Sequence, residues 1–293
     1  MQELQYINLA GEAVTFGSRP PFVFCGVTGT GNANIERRTL RGSMQNGERT
    51  VSLLRQGRLL NVTFHLFTYG RDDLYRERGL LANVLSAEKG FRRDTGERAR
   101  IIYRNNHGRW WTWAVPASLP QWDRRIQNIH PSLKVAFDCD SPYWFSMEES
   151  SGGFEAAAEE GFTLPFSFPI RFGSRSLELR LVNRGHSPAP VKMTVYGEGE
   201  KPTIINHTTG ARLRFTSPLP QGAVLEINTD PEDLSVMLAE GGERRNAYGY
   251  LDAATPISGF SLAPGENLIA YEAGGAGART SVFVTWRDRF EGV

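Results

Sequence analysis

The chain has 293 residues, with 33 Lys+Arg against 32 Asp+Glu, 31 Gly, 16 Pro and two Cys. That length suits two ordinary domains or one large all-β domain, with a core that needs no disulfide support. At 40% hydrophobic residues the chain is not broadly disordered, and no apolar run nears the roughly 18 residues of a bilayer span, so no membrane insertion is expected. Met1-Gln2-Glu3-Leu4-Gln5 lacks the basic and apolar segments of a secretory signal.

Gly and Pro punctuate short runs, which predicts many strands joined by turns. Phe22-Val23-Phe24-Cys25 reads as core. The glycines of 26–31 read as a flexible turn, because a phosphate loop would end in Gly-Lys-Ser/Thr and lead into a helix. Over 59–67, Leu60, Val62, Phe64 and Leu66 alternate with Asn61, Thr63 and His65, the period of a half-buried strand. Residues 72–88 place Leu74, Leu81 and Leu85 and, beside them, Leu80 and Val84 at helical spacing, with Asp72 or Asp73 as the N-terminal cap and Gly90 at the C-terminal one. This is the single long helix expected. Residues 109–115 read as an aromatic strand with Trp111 and Trp113 on one face and Trp110 on the other. Leu133, Val135 and Phe137 mark another strand.

The run 146–162 is small and acidic and reads as a linker or solvated arm, dividing a domain over 1–145 from one over 163–293. The second domain is a series of short strands. They are marked by Leu177, Leu179 and Leu181, by Val191, Met193 and Val195, by Leu225 and Ile227, by Leu268 and Ala270, and by Val282, Val284 and Trp286. Asn183-Arg184-Gly185, Thr209-Gly210 and Pro264-Gly265-Glu266-Asn267 are among the turns between them. The pattern predicts a β-sandwich.

The near-neutral total hides a split: residues 1–145 carry 20 Lys+Arg and 13 Asp+Glu, a balance of +7, whereas 146–293 carry 13 and 19, a balance of −6. Of the 33 basic residues 29 are Arg. Arg suits bidentate, partly buried pairing, and a GC-rich genome would favour it equally. The acids interspersed in the first half argue against a specific nucleic-acid footprint. Catalytic, metal and cofactor sites find no support. The five His form no zinc-binding pair, the two Cys are 114 positions apart with no His close in sequence, and the paired Glu lie in the linker. The aromatics suit a sugar-stacking platform, but a strand core or subunit interface explains them better.

Three stretches together resemble the distal tail protein (Dit) family of siphophages, the siphovirus-type tail component family. They are 133–145, with Asp140-Ser141-Pro142-Tyr143-Trp144-Phe145; 188–210, with Pro190-Val191-Lys192, Pro202-Thr203-Ile204-Ile205-Asn206 and Thr209-Gly210; and 262–290, with Pro264-Gly265-Glu266-Asn267 and Trp286-Arg287-Asp288-Arg289-Phe290. The resemblance covers most of 130–293; residues 1–60 match only in general character. It implies a mainly β protein, with an N-terminal small β-barrel or sandwich carrying one helix and a C-terminal galectin-like β-sandwich. It further implies a homohexameric ring at the virion tail tip, assembled in the bacterial host cytoplasm. The implied partners are the tail tube protein, the tail-tip hub protein and a receptor-binding protein. The role is structural and not enzymatic, with no cofactor; the competing reading is a carbohydrate-binding β-sandwich module.

A ring needs one surface patch to meet a different one on the next copy. The Arg-rich stretch supplies the candidate interface residues Arg92, Arg93, Arg98, Arg100, Arg104 and Arg109; a solvated hairpin around Thr95-Gly96 is the equal alternative.

Overall fold

The computed structural model describes residues 2–122, 129–155, 177–274 and 280–293. The chain divides into two units, Met1–Met147 together with Phe290–Val293, and Glu148–Arg289. The second is thus inserted in the sequence of the first, and residues 290–293, expected in the C-terminal domain, belong to the N-terminal unit.

The first unit runs through β1 (Glu3–Ile7), β2 (Ala13–Phe16), β3 (Phe22–Thr28), β4 (Ile35–Leu40), β5 (Arg49–Arg55), β6 (Arg58–Phe67), α1 (Arg71–Val84), α2 (Ala87–Gly90), β7 (Arg100–Arg104), β8 (Arg109–Trp113), β9 (Val115–Ser118), β10 (Ile129–Cys139) and β11 (Trp144–Ser146). Its main sheets are open. One has the order β2-β1-β7-β8-β11 and is completed by β23 (Arg289–Phe290); the other has the order β3-β6-β10-β9. Of the two expected forms, barrel and sandwich, the unit takes the second: two open sheets that share one core. The alternation read in 59–67 is that of β6, where Leu60, Val62, Phe64 and Leu66 are all fully buried. They share one core with Leu4, Tyr6, Ile101 and Tyr103 of the larger sheet and Leu74 and Leu81 of α1. Tyr6 and Phe137 stack across it, ring centroids 5.0 Å apart.

The helical segment is two helices, not one. The chain leaves the α conformation at Ser86 (φ −59°, ψ 132°), and the break lets both Val84 and Leu85 enter the core. The Ser86 carbonyl then accepts from the Lys89 and Gly90 amides to start α2. Neither Asp72 nor Asp73 caps α1. The cap is extended Gly70, and the two acids lie in the first turn, where they oppose the helix dipole. Gly90 does not follow a long helix but ends α2, where an added Cβ would lie 2.8 Å from Pro116 and 3.0 Å from the Tyr6 hydroxyl. Gly79 is different: it is exposed in mid-helix with nothing within 4 Å of an added Cβ. Gly79→Ala is expected to stabilise the first unit by about 1 kcal/mol, read as a higher urea midpoint at unchanged slope.

Cys25, expected in the core, is exposed. The β3–β6 register shifts between Phe24 and Gly26, and the extra residue at this bulge is Cys25, so the strand turns it outward. Cys139 is buried, and burial pushes its thiol up to about 12.

The second unit contains β12 (Ser150–Glu155), β13 (Leu177–Asn183), β14 (Ala189–Tyr196), β15 (Glu200–Asn206), β16 (Arg212–Arg214), β17 (Val224–Asn228), β18 (Ser235–Glu240), β19 (Glu243–Asn246), β20 (Ser261–Leu262), β21 (Gly265–Gly274) and β22 (Ser281–Trp286). One sheet has the order β12-β22-β14-β17-β18-β19, with β20 also on β14; the other is β13-β21-β15-β16. Their inner faces form one core that includes Val191, Met193, Val195, Ile269, Val282 and Val284.

One expectation is corrected here. Residues 150–155, read as linker, form β12, paired antiparallel along β22 from Ser150↔Trp286 to Glu155↔Ser281. Its glycines permit this: an added Cβ on Gly152 would lie 2.4 Å from Leu181, and on Gly153 2.7 Å from Phe283. Residues 156–162 of the expected linker lie outside the described residues. Leu268 and Ala270 do mark a strand, β21, in which Asn267, Ile269 and Tyr271 are buried on one face and Ala270 on the other. Asn267 occupies a buried position because its side chain is fully engaged. It accepts from the Ala263 amide (2.9 Å) and from Asn206 Nδ2 (3.1 Å), and it donates to the Ala263 (2.7 Å) and Gly265 (3.0 Å) carbonyls.

Candidate interaction surfaces

Strands β4 and β5 form a two-stranded sheet of their own. Ile35, Leu40, Met44, Val51, Leu53 and Leu54 of this hairpin are all exposed, Leu53 at 62% and Leu40 at 64%, and no hairpin residue belongs to either core. The register puts Ile35 and Leu53 on one face (Arg37↔Leu53) and Leu40 and Leu54 on the other (Glu36↔Leu54). Between the apolar residues lie Arg37, Arg38, Arg41, Arg49 and Arg55 against Glu36 and Glu48, a balance of +3. The ion pairs Arg37–Glu48 (3.5 Å) and Arg38–Glu36 (3.2 Å) are solvent-exposed and hold the ribbon together only weakly. An isolated two-stranded ribbon is marginal in water, and this one shows apolar side chains on both faces. Such an arm gains stability from a surface that covers it.

Residues 35–55 carry no local signal of an interaction surface. In β5, Val51 and Leu53 alternate with Thr50 and Ser52 as in any half-buried strand, and only tertiary structure reveals that neither face meets the core.

The Arg-rich stretch divides into two. Arg92 and Arg93 sit on a tight turn, with Gly96 at φ +70° and Arg92 paired to Glu97 at 2.5 Å, as in the solvated-hairpin alternative. Arg100 and Arg104 lie on β7 and Arg109 on β8, where Arg100 opposes Trp113 and Arg104 opposes Arg109. Because side chains alternate along a strand, these arginines share the outer face of the six-stranded sheet with Ile102, Trp111, Trp113 and Phe145. Trp111 stands edge-on to Trp113 at 4.8 Å and lies 5.0 Å from Phe145, while Trp110 turns inward against Phe290 at 6.1 Å. Arg98 joins this face over the Trp113 ring (5.9 Å) and pairs with Asp140 at 2.9 Å. The structure therefore groups Arg98, Arg100, Arg104 and Arg109 around a half-buried aromatic cluster, and leaves Arg92 and Arg93 apart from it.

A groove of about 580 Å³ lies in the same unit, beside edge strand β2. Glu3, Glu77, Arg19 and Arg104 line it with both signs, so it has no net preference for a charged ligand. Among the described residues, no three His, Cys, Asp or Glu side chains are placed to hold a metal ion. No described helix is long and apolar enough to cross a membrane. In the second unit Trp286 is 5% exposed and donates from Nε1 to Asp288 at 2.9 Å, so its ring offers no open stacking face.

Among solved structures, the chain is similar to the Dit protein (gp 19.1) of phage SPP1, described as a paradigm of the hub adsorption apparatus in phages infecting Gram-positive bacteria. The TM-score is 0.64 at 13% identity, over 98% of this chain and 99% of that one. It is also similar to a chain of the phage p2 baseplate in its activated, Sr-bound conformation, with a TM-score of 0.50 at 13% identity, over 100% and 99%. No family model and no curated protein sequence matches the chain. At such identities the likeness is one of fold, and the fold is that of a distal tail protein.

Proposed function

We propose that this chain, with its distal-tail-protein fold, is a structural component of a siphophage tail tip. In this reading it assembles into a homohexameric ring that joins the tail tube protein to the hub protein and a receptor-binding protein. It acts by contact and not by catalysis, needs no cofactor, and is built into the virion after assembly in the host cytoplasm. The observation that carries the reading is the fold match to a phage hub protein along nearly the whole of both chains. The exposed apolar arm β4–β5 adds an element that needs a partner, and a heterologous contact between arm and neighbour is the kind that closes a ring. The Arg98–Arg109 face is a second patch suited to a neighbouring subunit or the tube, since Arg and Trp are enriched where interfaces form.

The carbohydrate-binding alternative is disfavoured by Trp286, the one Trp of the inserted unit, which is sealed in its core. Light scattering on the purified protein tests the ring. A particle of six chains, seen as rings by negative-stain microscopy, is expected. A single-chain mass at every concentration, with or without the tube protein, would overturn it.

A further inference from the structure

The two roots of the β4–β5 arm are held by one buried cation and by the last four residues of the chain. Arg58, the first residue of β6, is 6% exposed and has no carboxylate partner among the described residues. Its Nη1 instead lies 3.0 Å from the Gly31 carbonyl and 3.4 Å from those of Gly29 and Thr30, on the segment leading into β4. Its Nη2 donates to the carbonyls of Pro142 and Glu291, the latter at 2.9 Å. The guanidinium stacks over Trp144 at 5.4 Å, and Trp144 Nε1 in turn donates to the Thr30 carbonyl at 3.1 Å.

On the other root, Arg55 ends β5 and pairs with the Glu291 carboxylate. The Gln56 amide closes the base of the hairpin on the Asn34 carbonyl at 2.9 Å. The strap itself is seated against the same loop. The Val293 amide donates to the Thr30 carbonyl at 3.2 Å, and a Cβ on Gly292 would lie 3.1 Å from the Gly31 backbone. Phe290 packs on Trp110 and Val293 against the core. Carbonyls satisfied by a buried guanidinium are expensive to leave unpaired, so strap, cation and roots form one cooperative unit.

We infer that the strap Phe290–Val293, through Glu291 and Arg58, is the positioning element of the arm: it fixes both hairpin roots and so sets the direction in which the arm is presented. The inference rests on reading the arm as an assembly element, but its test does not. Hydrogen exchange is followed on the full chain at a concentration too low for self-association, with the Gln56 amide as reporter. Gly292→Leu drives the strap off the 29–31 loop and is expected to speed Gln56 exchange about tenfold, the change that follows from losing one charge-assisted hydrogen bond. Glu291→Gln, which removes one ion pair and keeps the carbonyl that Arg58 holds, is expected to give about threefold. Amides in the middle of β6 and β10 keep their protection in both. If they too lose it in Gly292→Leu, that variant has unfolded the unit, and Gly292→Ala, which adds only the Cβ, takes its place. Unchanged Gln56 exchange beside a frayed Val293 amide would overturn the inference. An arm that plays no part in assembly would show instead as an unaltered particle mass in arm variants, whatever Gln56 does.

Discussion

Replacing Leu53 and Leu54 together by Asp is expected to reduce the proposed particle to single chains that melt at the same temperature as unassembled parent chains. The two side chains lie on opposite faces of the β4–β5 arm, so the pair removes apolar contact from whichever face docks. Both are exposed, and neither belongs to a core, so the folded chain loses little; surface substitutions of this kind stay within about 0.5 kcal/mol. At an interface each Leu contributes roughly 1.5–3 kcal/mol, and a carboxylate forced into its place adds a desolvation cost. In the proposed ring each contact would therefore lose at least a hundredfold or so in association constant. The single variants then separate the faces: Leu53→Asp reports on the face with Ile35, Leu54→Asp on the face with Leu40. A double variant whose light-scattering mass equals that of the parent would remove the arm from assembly.

Asn267→Ala is expected to cost the inserted unit about 3–5 kcal/mol, a large fraction of a domain's stability. Asn267 is 1% exposed and ties together the Ala263 amide, the Ala263 and Gly265 carbonyls and Asn206. Truncation leaves these groups buried without partners. Asn206 is bound into the same network: its Oδ1 accepts from the Thr208 amide at 3.0 Å, and its Nδ2 donates to the Ser261 carbonyl at 3.0 Å. Asn267→Asp fares little better, because its carboxylate cannot donate to the two carbonyls. Urea unfolding of the full chain measures the loss. A change under about 1 kcal/mol would mean that water replaces the network at little cost.

That network also explains which short phrases carried the family resemblance. Asn206 with Thr209-Gly210 and Pro264-Gly265-Glu266-Asn267 are turn chemistry, with Gly210 at φ +77° and Gly265 at φ +92°. Asn183-Arg184-Gly185 is of the same kind. The Asn183 side chain accepts from the Gly185 amide at 2.9 Å, and a Cβ on Gly185 would meet the Arg289 carbonyl at 2.4 Å. Such positions accept one or two residue types for local reasons, so they are legible one by one. Asn267 shows the limit of pattern reading: it reads as the end of a turn, whereas it lies in β21 with its side chain buried, because local sequence cannot see a partner 61 residues away.

Local residue order by itself determined the mainly β class, the inward faces of β6, β14 and β22, and the turns between the strands. In each, apolar residues at every second position have one way to be buried together, and in β22 the outward Phe283 does not disturb that period. Tertiary structure alone decided four other features. Cys25 points outward because a partner strand lacks one residue opposite it. Ser150-Ser151-Gly152-Gly153 pairs as a strand because Leu181 and Phe283 fill the space that its own side chains leave. The helix breaks at Ser86 because two successive apolar residues both find room in the core. Among the described residues neither face of the arm meets a core, and its roots are held from 233 residues away by the Glu291 carbonyl on Arg58. All four depend on what lies across space from a segment, and the energy of burial or pairing belongs to both sides of that contact, only one of which the local sequence contains.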